Sequence, residues 1–399
     1  GSAFKDGDTM YGIGVFLRRA ACSVLALCLL FALLVPAAAA PAVSAASAAL
    51  YRPATGEFAF TQNADARRGM ASTTKIMTAL VAIENGDADA EIVIPGAAVG
   101  VEGSSLYLKA GEKMTLRDLL YGLLLQSAND AAEAIAIAIG GSVEGFADLM
   151  NEKAAAMGLT DTHFTNPHGL ADENHYTTAR ELAKIAAEAM QQPLFREICG
   201  ARRAAIPNGE GGKRYLVNHN KLLFTYAGAI GVKTGFTKAT GRCLVSAANR
   251  DGVELIAVTL GAPDDWRDHA TMLDFGFSAY ECVTLAEAMQ DFGTLPLLGG
   301  DEPGVKICTP AAVRVVLPRT RGSIVERIEL NRPRFAPVYA EDIVGRVVWF
   351  ADGREIATAP LAAKHYVGKN ESSVLRSNYG KNTTSKILHG LQDHVAARR

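Results

Sequence analysis

Strand-like segments bracket a run of apolar helices in the first 280 residues of this chain, and that order restricts the fold more than any other feature. Residues 46–51 and 57–61 read as strands joined by the turn Arg52-Pro53-Ala54-Thr55-Gly56. Four helical patterns follow, over Ser72–Asn85, Leu116–Gln126, Ala131–Ile139 and Glu144–Met157, and a fifth covers Thr178–Gln191. Thr115 with Asp118 forms a variant capping box for the second of them. The pattern then returns to strands over residues 231–236, 243–248 and 253–260, with an Asp251-Gly252 turn before the last. A helix over residues 264–280 closes the region. Strands at both ends with helices between predict an α/β (α+β) fold, an antiparallel sheet flanked by helices with an inserted helical lobe.

From about Val283 the texture changes to short alternating strands over residues 305–307, 312–317, 324–330 and 344–350. They predict a small all-β domain. The expected division is 1–45 for an export signal and what precedes it, 46–281 for the first domain, 282–368 for the β domain, and 369–399 for a polar tail. The signal rests on Arg18-Arg19, an uncharged apolar run over residues 20–35, and Val43-Ser44-Ala45 as an A-x-A-like cleavage site. Ile387, Leu388, Leu391 and Val395 give the tail a weak amphipathic stretch, interrupted by Gly390, that suggests peripheral membrane contact.

A formal net charge of -2 over 399 residues leaves no basic excess to recruit nucleic acid. Of six cysteines, Cys22 and Cys28 lie in the signal, and Cys199, Cys243, Cys282 and Cys308 are widely spaced, which favours isolated buried thiols. Neither C-x-x-C nor H-E-x-x-H occurs, so no metal or cofactor is implied.

Ser72-Thr73-Thr74-Lys75 places a serine and a lysine three residues apart, on one helical face. A serine hydroxyl needs a nearby base to act as a nucleophile, and a lysine serves once burial or a second cation depresses its pKa. By itself the pair also fits a capping serine and a solvated lysine. Ser127-Ala128-Asn129 follows in a loop between two apolar helices, and Lys233-Thr234-Gly235 begins a strand. These three motifs in this order occur in penicillin-binding proteins and class A β-lactamases.

The chain resembles the low-molecular-mass penicillin-binding proteins, specifically the D-alanyl-D-alanine carboxypeptidases among them. Residues 70–78, Asn166-Pro167-His168-Gly169-Leu170, His175-Tyr176-Thr177-Thr178-Ala179, Gly231–Thr237 and Gly241–Val245 all carry the similarity, and Val344-Gly345-Arg346-Val347 extends it into the β domain. The resemblance implies removal of the terminal D-alanine from peptidoglycan stem pentapeptides, and acylation by β-lactam antibiotics. Ser72 is then the nucleophile, Lys75 its base and Ser127 the proton relay to the leaving amine. Asn129 orients Lys75 and donates to the substrate. Lys233 and Thr234 hold the terminal carboxylate, and Gly235 lets the substrate backbone lie against the strand. The backbone N–H groups of Ser72 and Phe236 form the oxyanion hole. His168 and His175 are expected to be structural. His219 stands where some relatives carry an arginine near the substrate carboxylate.

Three other activities share some of these motifs. A class A β-lactamase needs a glutamate to activate the deacylating water, and residues 164–170 offer none. A DD-endopeptidase of cross-linked peptidoglycan would use the same groups. An inactive wall-binding protein would have lost one of them, and all are present.

Overall fold

The structure, a computed structural model, describes residues 40–331 and 334–370. Residues 1–39 of the expected signal, with Cys22 and Cys28, and the expected tail helix lie outside these residues; the expected cleavage site lies within them, where Ser44 donates to Asp268 from both its N–H and its Oγ at 2.8 Å and Ala45 is buried. Among those described, no helix is long and apolar enough to cross a membrane.

Strands β1 (Ser47–Arg52) and β2 (Glu57–Gln62) form the expected hairpin. The helical lobe follows as α1 (Lys75–Asn85), α2 (Leu116–Leu125), α3 (Asn129–Gly140), α4 (Val143–Ala156), α5 (Ala179–Ala189) and α6 (Pro193–Gly200). Two small ladders decorate it, β3 (Glu91–Val93) with β4 (Lys113–Thr115), and β5 (Arg203–Pro207) with β6 (Lys213–Val217). The short α7 (Leu222–Thr225) leads back to β7 (Ala229–Thr237), β8 (Gly241–Arg250), β9 (Val253–Leu260) and then α8 (Asp265–Ala279).

The central sheet is antiparallel, in the order β2-β1-β9-β8-β7. It is covered on both faces. Ala49, Ile256, Val258 and Leu260 turn to the helical lobe, while Ala48, Leu50, Leu255 and Ala257 pack on α8 through Met272 and Leu273. Burial on both sides explains why β8 and β9 read as unbroken apolar runs instead of alternating ones. Within α8, His269 is buried between Ser246 Oγ (2.6 Å from Nδ1) and Thr259 Oγ1 (2.9 Å from Nε2). At the start of α2, Thr115 Oγ1 accepts from the Asp118 N–H at 3.1 Å, the expected cap.

The second part contains β10 (Tyr280–Ala286), β11 (Asp291–Leu298), β12 (Gly304–Cys308), β13 (Val313–Pro318), β14 (Ile324–Leu330), β15 (Arg334–Phe335), β16 (Ile343–Ala351) and β17 (Arg354–Ala363). A six-stranded sheet runs β14-β16-β17-β12-β11-β15, and β10 pairs with β13. Trp349, Val347, Leu361, Val305 and Ile307 fill its core. The all-β reading of this region holds, with β10, β11, β15 and β17 added to the strands expected from sequence. All four described cysteines are free thiols; Cys199, Cys243 and Cys308 are buried and Cys282 is half-buried.

Candidate active site

The helix expected to begin at Ser72 begins instead as a 3-10 turn over Ala71–Thr74, and the α-helix starts at Lys75. Ala71 has a φ of 48°, a left-handed conformation that a residue with a Cβ adopts only when its surroundings hold it. The surroundings here are specific. Thr73 Oγ1 donates to Met70 O at 2.6 Å, and Thr74 Oγ1 to Ala71 O at 2.8 Å. That use of the Thr74 hydrogen leaves its oxygen to accept from His175 Nε2 at 2.7 Å, while His175 Nδ1 accepts from the Thr165 N–H at 3.1 Å. Burial holds the His175 pKa down to about 4, so this neutral tautomer persists at pH 7. Gly169 closes the other side: with its φ of 86°, a Cβ there would sit 1.9 Å from Ala71 O.

Lys75 is fully buried behind the serine. Its Nζ lies 3.0 Å from Ser72 Oγ, 2.7 Å from Asn129 Oδ1 and 2.7 Å from His168 O. Burial, and secondarily the charge of Lys233, holds its pKa well below the ordinary lysine range, with Asp130 opposing. A neutral amine has two hydrogens and one lone pair. Asn129 Oδ1 and the His168 carbonyl take the two hydrogens, because both are acceptors. The lone pair is then left for the Ser72 hydroxyl, the arrangement a general base requires.

Ser127 has a φ of 60° and is almost fully buried in the joint between α2 and α3. The loop expected over residues 127–130 is shorter than the sequence suggests, because α3 begins at Asn129. Asn129 Nδ2 donates to Glu102 O, which fixes which way its amide points. Asp130 ties down the facing segment: it accepts from Ser105 Oγ at 2.6 Å and from the N–H groups of Leu106 and Leu108 at 3.0 and 3.1 Å. Sequence reading gave Asp130 no role, since an anchor for backbone N–H groups has no motif of its own.

Lys233, Thr234 and Gly235 lie on β7, the edge of the central sheet. Lys233 is buried, donates to Thr234 O at 2.8 Å, and is pushed down to about 7 by burial. Gly235 also serves a purpose within the fold. A Cβ there would meet Ser72 N at 3.0 Å, Thr73 N at 3.1 Å and Ala71 Cβ at 3.2 Å. The missing side chain lets the nucleophile turn approach the strand. Phe236, 65% exposed, turns to the cleft.

A cleft of about 320 Å³ brings Ser72, Ser127, Thr234, Gly235 and Phe236 together with Ser104 and His219. Burial lowers the His219 pKa, helped by Lys233, so the ring is neutral in place of the cation expected at that position in some relatives. Arg242, Asp265 and Trp266 close the far end, with Arg242 paired to Asp265 at 2.8 Å and lying over the indole at 5.6 Å. Sequence reading missed this wall, because Arg242 reaches the cleft only through its pairing opposite Phe236 in the β7–β8 ladder. His168 contributes its carbonyl to Lys75. Its ring faces Glu133 at 3.4 Å, and burial pushes its pKa down to about 3.

Residues 35–264 match the family model for D-alanyl-D-alanine carboxypeptidase. The chain belongs to this family. Residues 280–369 match the C-terminal domain of penicillin-binding protein 5. The D-alanyl-D-alanine carboxypeptidase DacF of Bacillus subtilis is 32% identical over 82% of this chain and 86% of its own length. The crystal structure of penicillin-binding protein 5 from Haemophilus influenzae is 29% identical with a TM-score of 0.62, covering 82% of this chain and 99% of that one. A DD-transpeptidase structure from Streptomyces is 36% identical with a TM-score of 0.57 over 60% of this chain and 99% of that one. This member of the carboxypeptidase family therefore has the serine-type hydrolase framework, with the β domain following it.

Proposed function

We propose that this carboxypeptidase removes the terminal D-alanine from peptidoglycan stem pentapeptides through an acyl-enzyme on Ser72. Ser72 Oγ attacks the carbonyl carbon of the penultimate D-alanine, and its proton passes to Lys75 Nζ. The N–H groups of Ser72 and Phe236 hold the oxyanion; such donors are typically worth about 3–4 kcal/mol each. The C–N bond breaks, and the departing amine takes the proton from Lys75 through Ser127. Water then attacks the ester, gives a proton back through Lys75, and releases Ser72. Lys233 and Thr234 hold the terminal carboxylate, and Asn129 keeps Lys75 aimed. The observation that carries this reading is the disposition of Lys75 Nζ, with two acceptors at 2.7 Å and the serine at 3.0 Å.

A β-lactam enters the same path, but its leaving nitrogen stays tethered to the acyl group. Residues 164–170 bring no glutamate to activate water, so the ester is long-lived. Mass spectrometry after exposure to a labelled penicillin finds one adduct, on Ser72. Rapid turnover of the drug with no adduct would favour a β-lactamase. D-alanine release by a Ser72→Ala variant would refute the assignment. Comparing D-alanine release from a pentapeptide with cleavage of a cross-linked dimer separates carboxypeptidase from endopeptidase action.

The substrate lies outside the cytoplasm, which agrees with an export signal ahead of residue 46 and cleavage after Ala45. We assign catalysis to residues 46–281 and a supporting role to the β domain at 282–368. The tail over 369–399 is proposed to touch the outer membrane surface of the cytoplasmic bilayer.

A further inference from the structure

The β domain breaks the polar-out pattern of its own strands at one corner. Strand residues that point away from a core into water are ordinarily polar. Leu297, Ala336, Val338 and Val367 are buried, and a chain neighbour of each turns the other way. Those neighbours are Leu298, Phe335, Tyr339 and Tyr366, and all four are more than half exposed.

The four lie together. Leu298 is level with Phe335 in the parallel pairing of β11 with β15. The rings of Tyr339 and Tyr366 are 5.4 Å apart. Gly300 joins the two pairs: a Cβ there would sit 3.1 Å from Val367 Cγ1 and 3.5 Å from Ala336 Cβ. Acid and base alternate around the corner, with Arg334 paired to Asp342 at 3.8 Å and the His365 ring facing Glu302 at 3.2 Å.

A contiguous exposed apolar surface marks a contact. Two observations select a lipid surface as the partner. Tyrosine has an apolar body and a polar tip, and it concentrates where a bilayer meets water. The chain also leaves the domain at this corner: the Asn370 N–H donates to Gly299 O at 2.9 Å, beside Leu298. The stretch that follows, 371–399, carries five Lys and Arg against two Asp and Glu. That excess suits anionic headgroups. A bilayer that attracts this stretch meets the corner from which it starts.

We infer that this corner seats Leu298, Phe335, Tyr339 and Tyr366 in the interfacial layer of a bilayer, as a contact separate from the tail. The inference goes beyond the hydrolytic reading, whose chemistry uses none of these residues. An apolar seat of this kind is insensitive to salt and to lipid charge, whereas attraction of the basic tail needs anionic lipid and is screened by salt.

The test sediments the full chain with vesicles of neutral phosphatidylcholine at low and at high salt. The natural chain partitions onto them equally at both. Phe335→Ser combined with Tyr366→Ser lowers the partition constant by about 100-fold, about tenfold for each large apolar side chain. Val325→Ser, at a similarly exposed position on the opposite edge of the same sheet, leaves it unchanged. Leu388→Asp combined with Leu391→Asp leaves it unchanged as well. Thermal melting establishes that each variant keeps the fold. Four results overturn the inference: no binding of the natural chain to neutral vesicles, an unchanged constant in the Phe335 and Tyr366 variant, an equal loss in Val325→Ser, or loss of neutral-vesicle binding in the tail variant. A dimer in sedimentation equilibrium that the Phe335 and Tyr366 substitutions dissolve would assign the corner to a second copy of the chain and overturn it too. Penicillin acylation, measured on the same samples, bears only on the hydrolase reading.

Discussion

Asn129 Oδ1 lies 2.7 Å from Lys75 Nζ and joins α3 to the base of the nucleophile. Replacing Asn129 with alanine frees one Lys75 hydrogen and lets the lone pair turn from Ser72. Penicillin acylation is expected to slow by about 100-fold, the lower end of what a general base contributes. Asn129→Asp has a distinct signature. A carboxylate beside Lys75 favours the ammonium form, so the acidic limb of the acylation rate moves to higher pH. Stopped-flow acylation across pH distinguishes the two variants, and an unmoved limb in Asn129→Asp would argue against Lys75 as the base.

The two lysines predict a bell-shaped kcat/KM for peptide substrates. In the proposed mechanism Lys75 works as the neutral amine, so the rate rises from acid pH. The proposed role of Lys233 is to hold a carboxylate as the ammonium, and burial, which pushes it down to about 7, then makes the rate fall above neutrality. The two titrations are coupled, so the limbs belong to the pair. A substrate amidated at its C-terminus loses the alkaline limb and keeps the acidic one. Persistence of both limbs would show that Lys233 does not read the carboxylate.

Gly235→Ala places a methyl group 3.0 Å from Ser72 N and 3.1 Å from Thr73 N. The turn must retreat from β7, which opens the proposed oxyanion hole. A loss of about 1–3 kcal/mol in stability is expected from overpacking. Acylation is expected to fall by about 100-fold, the loss typical of one oxyanion donor. Thermal melting and acylation rates measure the two effects separately; a stable variant with full acylation would show that the turn has slack.

Asp130→Ala orphans the N–H groups of Leu106 and Leu108 and the Ser105 hydroxyl. A cost of about 2–4 kcal/mol follows from losing several buried charge-assisted bonds. Urea unfolding checks the value. A change under 0.5 kcal/mol would mean that water replaces the carboxylate there.

Acid destabilises this fold through its buried histidines. Burial lowers His168 and His269 to about 3 and His175 to about 4, against an ordinary value near 6.5. The unfolded chain therefore takes up protons that the folded chain refuses, and stability is lost as pH falls through about 6.5 toward 4. Three such groups give a slope of up to about 4 kcal/mol per pH unit in that window. Urea midpoints at pH 7.5, 6.0 and 5.0 test the sign, and His269→Gln shallows the slope by about one third.

The sheet, the lobe and the β domain were legible because periodicity reports burial, and burial dominates in α1, α2, β8 and β9. The proposed reacting groups were legible because acyl transfer requires those side chains. What escaped is carried by the backbone or by distant pairing. Ala71 gives no sign in its identity that it turns left-handed. The His168 carbonyl that restrains Lys75 belongs to a residue whose ring draws the attention. Gly235 was noticed, but its neighbour across the gap is Ser72, more than a hundred residues earlier, and no local pattern announces that approach. The ladders β3–β4 and β5–β6 are too short and too exposed to show alternation.

The register of β1 with β9 pairs Ser47 with Leu260. It closes a loop of roughly 200 residues, and Ser72, Lys75, Ser127, Asn129, Lys233 and Thr234 all lie inside it. Contacts so distant in sequence form late, because the entropy of the intervening chain must be lost first. The nucleophile turn needs β7 behind it, and β7 is held in the sheet through β8 and β9. A chain emerging from its N-terminus thus presents Ser72 long before the strand that organises it. The serine is therefore expected to gain its proposed reactivity only once the last central strand has paired with the first.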